Sequence, residues 1–260
     1  RLQVEHPVTE MISGIDLVEW QFRVAAGQDL PLMQSALEHH GHAFEARVYA
    51  EDPENGFLPA AGSISHLHQP DDSEHIRIDT GVRAGDEIGI NYDPMIAKVI
   101  AWDVDRKSAL RRLRGALAQY QLAGVKNNIA FLLNLTSIAS FECADAEPSL
   151  LDTGLIERHR AELFAEAQPA SDTVLALAVL SELLREREDA SNVANASTDP
   201  YSPWHLGNGW RLNEDNHHTF SFIDNGQRVA VTAHYRSGGF LLELPGGEMM
   251  ARGEDEATIT

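Results

Sequence analysis

The chain opens on Arg1-Leu2-Gln3-Val4-Glu5-His6-Pro7-Val8-Thr9-Glu10. Arg1, Gln3 and Glu5 alternate, so an extended backbone here puts their side chains on one face. A guanidinium, an amide and a carboxylate on one face can bind a small planar oxyanion and remove a proton from it. Pro7 is expected to end the extended segment. The same alternation also suits a polar strand face with no chemical role. What surrounds the stretch therefore has to decide.

Working outward, Ile15, Val18, Phe22 and Ala25 recur at helical spacing, and Gly27 follows, which predicts a helix over 15–26. From His42 to Ala50, Phe44, Ala46 and Val48 alternate with Glu45, Arg47 and Tyr49, a strand with Arg47 on its polar face. Short strands are expected at 63–68, 76–80 and 86–91, then a buried strand from Met95 to Trp102. Asp105 suits an N-cap for a helix with the stripe Leu110, Leu113, Leu117 and Tyr120, closed by Gly124. Asn128 suits the cap of a helix reaching about Ser140, and 152–166 reads as a third. Residues 1–166 thus read as an α+β domain. Beyond Pro169, residues 173–187 are apolar nearly all round, a helix that must be enclosed by protein. A loop over 189–199 and strand-like runs near 209–213, 217–224, 227–236, 239–244 and 247–252 follow, with hairpin turns at Asn225-Gly226 and Gly238-Gly239. This pattern predicts a second domain over 167–260, an antiparallel sheet wrapped round the helix. The run Ala257–Thr260 closes nothing, so a free sheet edge is expected.

Composition narrows the classes. Hydrophobic residues make up 43% of the 260 positions and charged residues 23%, a globular profile. Twenty Lys and Arg against 40 Asp and Glu leave a net charge of −20, a field that repels nucleic acid. Arg106, Lys107, Arg111, Arg112 and Arg114 read as a solvated helix face. No apolar run reaches the ~20 residues that cross a bilayer. The single cysteine, Cys143, excludes an internal disulfide. The His66/His68 pair and the His39, His40, His42 cluster lack a third ligand at a recognisable spacing and read as surface histidines; no metal site is expected. Lys98 and Asp93 read equally as a supporting ion pair or as catalytic groups.

The opening stretch resembles the Arg-(Ile/Leu)-Gln-Val-Glu-His-Pro-Val-Thr-Glu motif of biotin carboxylases, an ATP-grasp family. The likeness continues in order through Gly14 to Val18, Gly41-His42-Ala43-Phe44-Glu45-Ala46-Arg47, Ala50-Glu51-Asp52-Pro53, Phe57-Leu58-Pro59, Tyr92-Asp93-Pro94-Met95-Ile96-Ala97-Lys98 and Gly124 to Ile129. So many ordered motifs over about 140 residues are specific to the biotin branch. Arg77 to Glu87, Ile129 to Leu135, and the tail Pro203-Trp204, Leu206-Gly207, Gly209-Trp210-Arg211-Leu212 are most similar to biotin-containing α subunits of methylcrotonyl-CoA carboxylases. Propionyl-CoA and geranyl-CoA carboxylases are close alternatives.

The resemblance implies a piece of a longer polypeptide: the C-terminal part of an ATP-grasp biotin carboxylase (1–166), then an incomplete BT domain (167–260), a long helix with an antiparallel β-barrel. The family makes carboxyphosphate from ATP and bicarbonate and carboxylates biotin N1, in leucine degradation where the acyl-CoA is 3-methylcrotonyl-CoA. On that pattern Arg1, Gln3 and the Val4 backbone bind bicarbonate and Glu5 is the base that deprotonates it. Arg47 binds biotin and stabilises the oxyanion that develops on its ureido ring. The cofactors implied are biotin, ATP and Mg2+. The family's nucleotide and metal residues precede its Arg-Leu-Gln motif. None of Lys98, Lys107 and Lys126 has the Met-Lys-Met setting of a biotinylated lysine, so this stretch alone is expected to be inactive. The implied partners are the carboxyltransferase (β) subunit, in a hetero-oligomer, and the biotin carboxyl carrier domain of the same polypeptide. The implied location is bacterial cytoplasm, or the mitochondrial matrix in a eukaryote.

Overall fold

The computed structural model describes residues 1–144, 147–164 and 168–253. The chain divides into two compact units, Arg1–Ala165 and Glu166–Thr260.

The first unit is built on a three-stranded antiparallel sheet in which β3 (Met95–Asp103) lies between β1 (His42–Tyr49) and β2 (Ile76–Thr80). Strand alternation sorts the sheet into two faces. Opposed residues Ala46 and Val99, and Val48 and Ala97, are buried on one. Helix α3 (Arg106–Gln119) covers that face with Leu113 and Leu117, and Tyr120 follows them into the same core. Asp105 caps α3, accepting from the Ser108 N–H at 2.8 Å. On the other face Arg47 lies opposite Lys98, and Lys98 opposite Asp79. Here α1 (His6–Ser13) contacts β1 and β3. A further helix, α2 (Leu17–Ala25), follows α1 and starts at an Asp16 cap, near the expected 15–26.

Several expectations need local correction. The segment expected to stay extended as far as Pro7 turns at Val4–Glu5, and Glu5 is the N-cap of α1 with φ −81° and ψ 11°. Pro7 sits in the first helical turn, where its fixed φ suits a helix and its missing N–H costs nothing. Gly124 does not close α3. The helix ends at Gln119, and strand Gln121–Ala123 intervenes to pair with His66–His68. Gly124 has φ +101°, and a Cβ there would meet the Ser63 carbonyl oxygen, so a close backbone approach explains the glycine. Of the helix expected over 152–166, residues 165 and 166 lie outside the described residues, and the rest holds two short helices, Leu155–Arg158 and Arg160–Leu163. The basic cluster on α3 is not simply a solvated face. Arg106 is buried with its guanidinium 5.0 Å from the Phe44 ring centre, and Arg112 pairs with Asp103.

Asn128 heads α4 (Ile129–Ser137), yet its side chain does not cap that helix. It accepts from Tyr49 N–H at 2.9 Å and donates to the Arg47 carbonyl at 3.1 Å and to Glu51 Oε1 at 2.9 Å. A buried amide thus fixes the end of β1 next to Arg47.

The second unit is a meander of four antiparallel strands, β4 (His217–Asp224), β5 (Gln227–Arg236), β6 (Gly239–Leu244) and β7 (Gly247–Ala251), with α5 (Asp172–Ala196) on one face. Ser171 caps α5, which runs through most of the expected 189–199 loop. Leu175, Val179 and Leu183, at i, i+4 and i+8, pack with Phe220, Val231, Ala233 and Leu242. Val174 and Leu177 remain 55% and 62% exposed. The helix therefore has one buried stripe, and one sheet is enough to cover it. No closed barrel forms among the described residues, and the 209–213 run is not a strand. Asn225 and Gly226, with φ +47° and +76°, form the first hairpin turn as expected. The second turn sits one residue earlier than expected, at Ser237-Gly238, because Arg236 pairs with Gly239. The Ala257–Thr260 run lies outside the described residues.

Candidate active site

The polar face of the first sheet holds the candidate site. Arg47 projects from β1, and its Nη2 donates to Glu5 Oε2 at 2.7 Å. Glu5 reaches it because the Val4–Glu5 turn brings the start of α1 over β1. Glu5 is 52% exposed and Arg47 37%, so the pair lies at the surface, open to small solutes.

A chain of charges beneath the pair fixes α1 to the sheet. Lys98 Nζ donates to the Val4 carbonyl at 3.2 Å and pairs with Asp79 Oδ2 at 3.0 Å. Asp79 takes the Arg77 Nε at 2.7 Å, and Arg77 Nη1 reaches Glu10 Oε2 at 2.7 Å. Glu10 Oε1 also accepts from the Leu17 N–H at 2.8 Å, which ties α2 to α1. Both ends of the 4–10 segment are therefore held to the strands. Burial raises the Asp79 carboxyl, but hydrogen bonds and charge from Arg77 and Lys98 outweigh it and hold the group below the usual carboxylate range. The Asp79 hydrogen bond, with help from Glu10, raises the Arg77 guanidinium further.

Glu45 lies two residues before Arg47 on the same face. Its side chain is 4% exposed, and neither carboxylate oxygen has a hydrogen-bond partner. Oε1 is 3.6 Å from Arg47 Nε, within ion-pair range but too long for a hydrogen bond. Burial pushes the Glu45 carboxyl up; Lys98 and Arg47 pull it back in part, and Glu5 adds a smaller upward push.

Of the residues singled out in the sequence, Glu5 and Arg47 meet, and the Val4 carbonyl is held by Lys98. Arg1 and Gln3 do not join them. Arg1 lines an open groove with Leu2, Leu17, Trp20, Val24 and Leu30. The Gln3 carbonyl accepts from the His6 N–H at 3.2 Å. The turn at Val4 breaks the expected common face. Lys98 pairs with Asp79 and not with Asp93, whose Oδ1 accepts from the Met95 N–H at 2.9 Å. Glu45, Asp79, Arg77 and Glu10 were not singled out. The i, i+2 relation of Glu45 to Arg47 was a signal for the first; nothing local signalled the others. Among the described residues no group of three His, Cys, Asp or Glu could hold a metal ion.

Comparison with known proteins agrees with this layout. Residues 45–157 match the biotin carboxylase C-terminal domain, and 171–260 match the BT domain of the methylcrotonyl-CoA carboxylase α subunit. Residues 1–33 match the ATP-binding domain of the carbamoyl-phosphate synthase L chain. The methylcrotonoyl-CoA carboxylase α subunit of Dictyostelium discoideum is 46% identical over 92% of this chain and 33% of that protein.

The chain belongs to the α-subunit family of biotin-dependent acyl-CoA carboxylases.

The propionyl-CoA carboxylase α chain of Caenorhabditis briggsae is 41% identical over 68% of the chain and 24% of that protein. Among solved structures, the biotin carboxylase domain of a thermophilic 2-oxoglutarate carboxylase bound to bicarbonate is 39% identical with a TM-score of 0.60. That match covers 64% of this chain and 36% of that one. The chain spans about a third of the length of the first α-subunit relative, 33%. Arg1, Gln3, Val4 and Glu5 fall within the ATP-binding match, and Arg47 within the biotin carboxylase match. The relatives named above carry the label mitochondrial, and no described helix is long and apolar enough to cross a membrane.

Proposed function

We propose that this chain supplies the bicarbonate-deprotonating and biotin-holding part of an acyl-CoA carboxylase, with 3-methylcrotonyl-CoA as the final acceptor. The observation that carries it is the Glu5–Arg47 contact, 2.7 Å between groups 42 residues apart. Glu5 is the general base: its carboxylate takes the proton from bicarbonate, leaving a dianion able to attack phosphorus. Arg47 keeps its charge at any working pH, and its planar donors suit the ureido oxygen of biotin as negative charge grows there. Arg1, Gln3 and the Val4 backbone are assigned to hold bicarbonate. ATP with Mg2+ supplies the activating phosphoryl group, and biotin the nitrogen that accepts the carboxyl. No step involving the metal or nucleotide is assigned to a residue of this chain. The half-exposed, donor-rich Arg47 fits biotin's carbonyl.

The test is made in the intact α polypeptide. Glu5→Gln lowers bicarbonate-dependent ATP cleavage at least ~10²-fold, as loss of a positioned base does. Arg47→Ala mainly slows carboxyl transfer to biotin. Near-normal turnover of Glu5→Gln removes the assignment.

A second role is proposed for the α5 unit, as the docking element for the carboxyltransferase subunit. The BT match over 171–260 and the exposed Leu177, Trp204 and Trp210 favour it. Leu177→Glu in the intact complex then releases the carboxyltransferase subunit on size-exclusion chromatography, with biotin carboxylation unchanged. Retention of the complex argues against this surface. By sequence type the protein is assigned to bacterial cytoplasm or to the mitochondrial matrix.

A further inference from the structure

Glu45 is an anomaly at the centre of the polar sheet face. A buried carboxylate normally collects hydrogen bonds, because burying an acceptor without a donor is destabilising. Glu45 has none, although its closest cation, the Arg47 Nε, is only 3.6 Å away. Every other charge that faces it is engaged. Lys98 on β3 is committed to Val4 and Asp79, and Arg47 to Glu5. Glu45 and Arg47 share one face of one rigid strand, whose end is locked by Asn128. A guanidinium movement of roughly 1 Å brings Nε within the ~2.9 Å of a hydrogen bond to Glu45.

The arrangement also exposes a difficulty in the proposed chemistry. Glu5 Oε2 already accepts from Arg47 Nη2 at 2.7 Å, so that oxygen is occupied until the guanidinium moves away. A move that frees it needs another carboxylate within reach to receive Arg47.

We propose that Glu45 is a positioning residue that receives Arg47 when bicarbonate engages Glu5, freeing the Glu5 carboxylate to act as base. The inference rests on the assignment of Glu5 and Arg47 above. In the resting arrangement Arg47 is held by Glu5 and Glu45 waits. In the working arrangement Arg47 closes onto Glu45, which gives the buried oxygens their missing donor and leaves the remaining guanidinium N–H groups toward biotin. The only bond change is the bicarbonate O–H: its proton moves to Glu5 and its electron pair stays on the oxygen. Glu45 neither gains nor loses a proton.

A double-mutant cycle in the intact α polypeptide tests this, reading bicarbonate-dependent ATP cleavage without biotin. Glu45→Gln keeps the shape and removes the charge, so Arg47 stays on Glu5. Turnover is expected to fall about tenfold while the KM for ATP is unchanged, less than the ~10²-fold of losing the base outright, because Glu5 is still present and is only hindered by Arg47. In an Arg47→Ala background nothing holds Glu5, and adding Glu45→Gln should change turnover less than about twofold. Glu45→Asp, which keeps the charge, should recover part of the loss, and it is read in the same cycle if the glutamine variant does not fold. Equal losses from Glu45→Gln with and without Arg47, or no loss in either, overturn the proposal, since a merely structural group acts independently of Arg47. If Glu5→Gln itself retains activity, the base assignment fails instead, and the two failures are told apart.

Discussion

Both units back an antiparallel sheet with a helix on its apolar face, and they differ in what lies on the other face. In the second unit that face carries, among the described residues, only pairs within the unit: Thr219 and Thr232 face each other at 3.2 Å, and His234 bridges the half-exposed Asp215 and Glu243 at 3.0 Å each. In the first, α1 approaches the polar face and turns it into a network running from Lys98 through Asp79 and Arg77 to Glu10. The strands look alike in sequence, with apolar and polar residues alternating. A polar strand face becomes a site when another element covers it and brings in groups distant in sequence.

The comparison breaks most sharply if the second unit does not depend on its single apolar layer. Leu242, fully buried against α5, is the strongest probe. Leu242→Ala should cost about 2–5 kcal/mol in urea unfolding of that unit, as cavities in cores do. A loss near zero means the sheet and helix do not share one core.

The first unit should respond most to charge. Lys98→Met removes the tether of Val4 and one partner of Asp79, and about 2–3 kcal/mol is expected, below the ~3–5 of a fully orphaned buried partner because Asp79 keeps Arg77. Bicarbonate-dependent ATP cleavage should fall with it, since the turn that carries Glu5 loosens. Loss of stability with unchanged turnover would leave Lys98 a purely structural group.

Two carboxylates on that face should titrate in opposite senses. Asp79 is held low, so its stabilisation is complete above the unfolded aspartate value of about 3.9 and is lost as pH falls through its folded value. Glu45 is pushed up, so its contribution is complete below the unfolded glutamate value of about 4.3 and is lost as pH rises through its folded value. Relative to the parent, Asp79→Asn should thus lose stability at pH 7 and little at pH ~3, whereas Glu45→Gln should gain at pH 7 and nothing at pH ~3. Denaturation midpoints at the two pH values decide it; parallel shifts contradict the assignment of the two carboxyls.

The smallest effect belongs to local structure. Asp105→Ala removes the cap of α3 and should cost about 1 kcal/mol without altering catalysis. A larger effect on turnover would mean that α3 transmits position to the polar face.

Much of this protein was legible because its rules are local. The cap at Asp105, the stripe Leu110, Leu113 and Leu117, the polar-face position of Arg47 and the Asn225-Gly226 hairpin follow from periods of 3.6 and 2 and from backbone conformations open to few residues. The ordered motifs carried the family. Sequence misread Val4–Glu5 because alternation implies a common face only while the backbone stays extended, and a proline at the start of α1 looks the same as one ending a strand. It misread α5 because Val174 and Leu177 are as apolar as Leu175 and Val179, and only the covering sheet chooses which stripe is buried. The partners of Lys98, the orphaned oxygens of Glu45 and the amide bridge of Asn128 join residues 19 to 94 positions apart or depend on what fails to reach them. Hydrogen bonds and ion pairs act over about 3–4 Å of space whatever the separation along the chain, so tertiary structure alone could decide them.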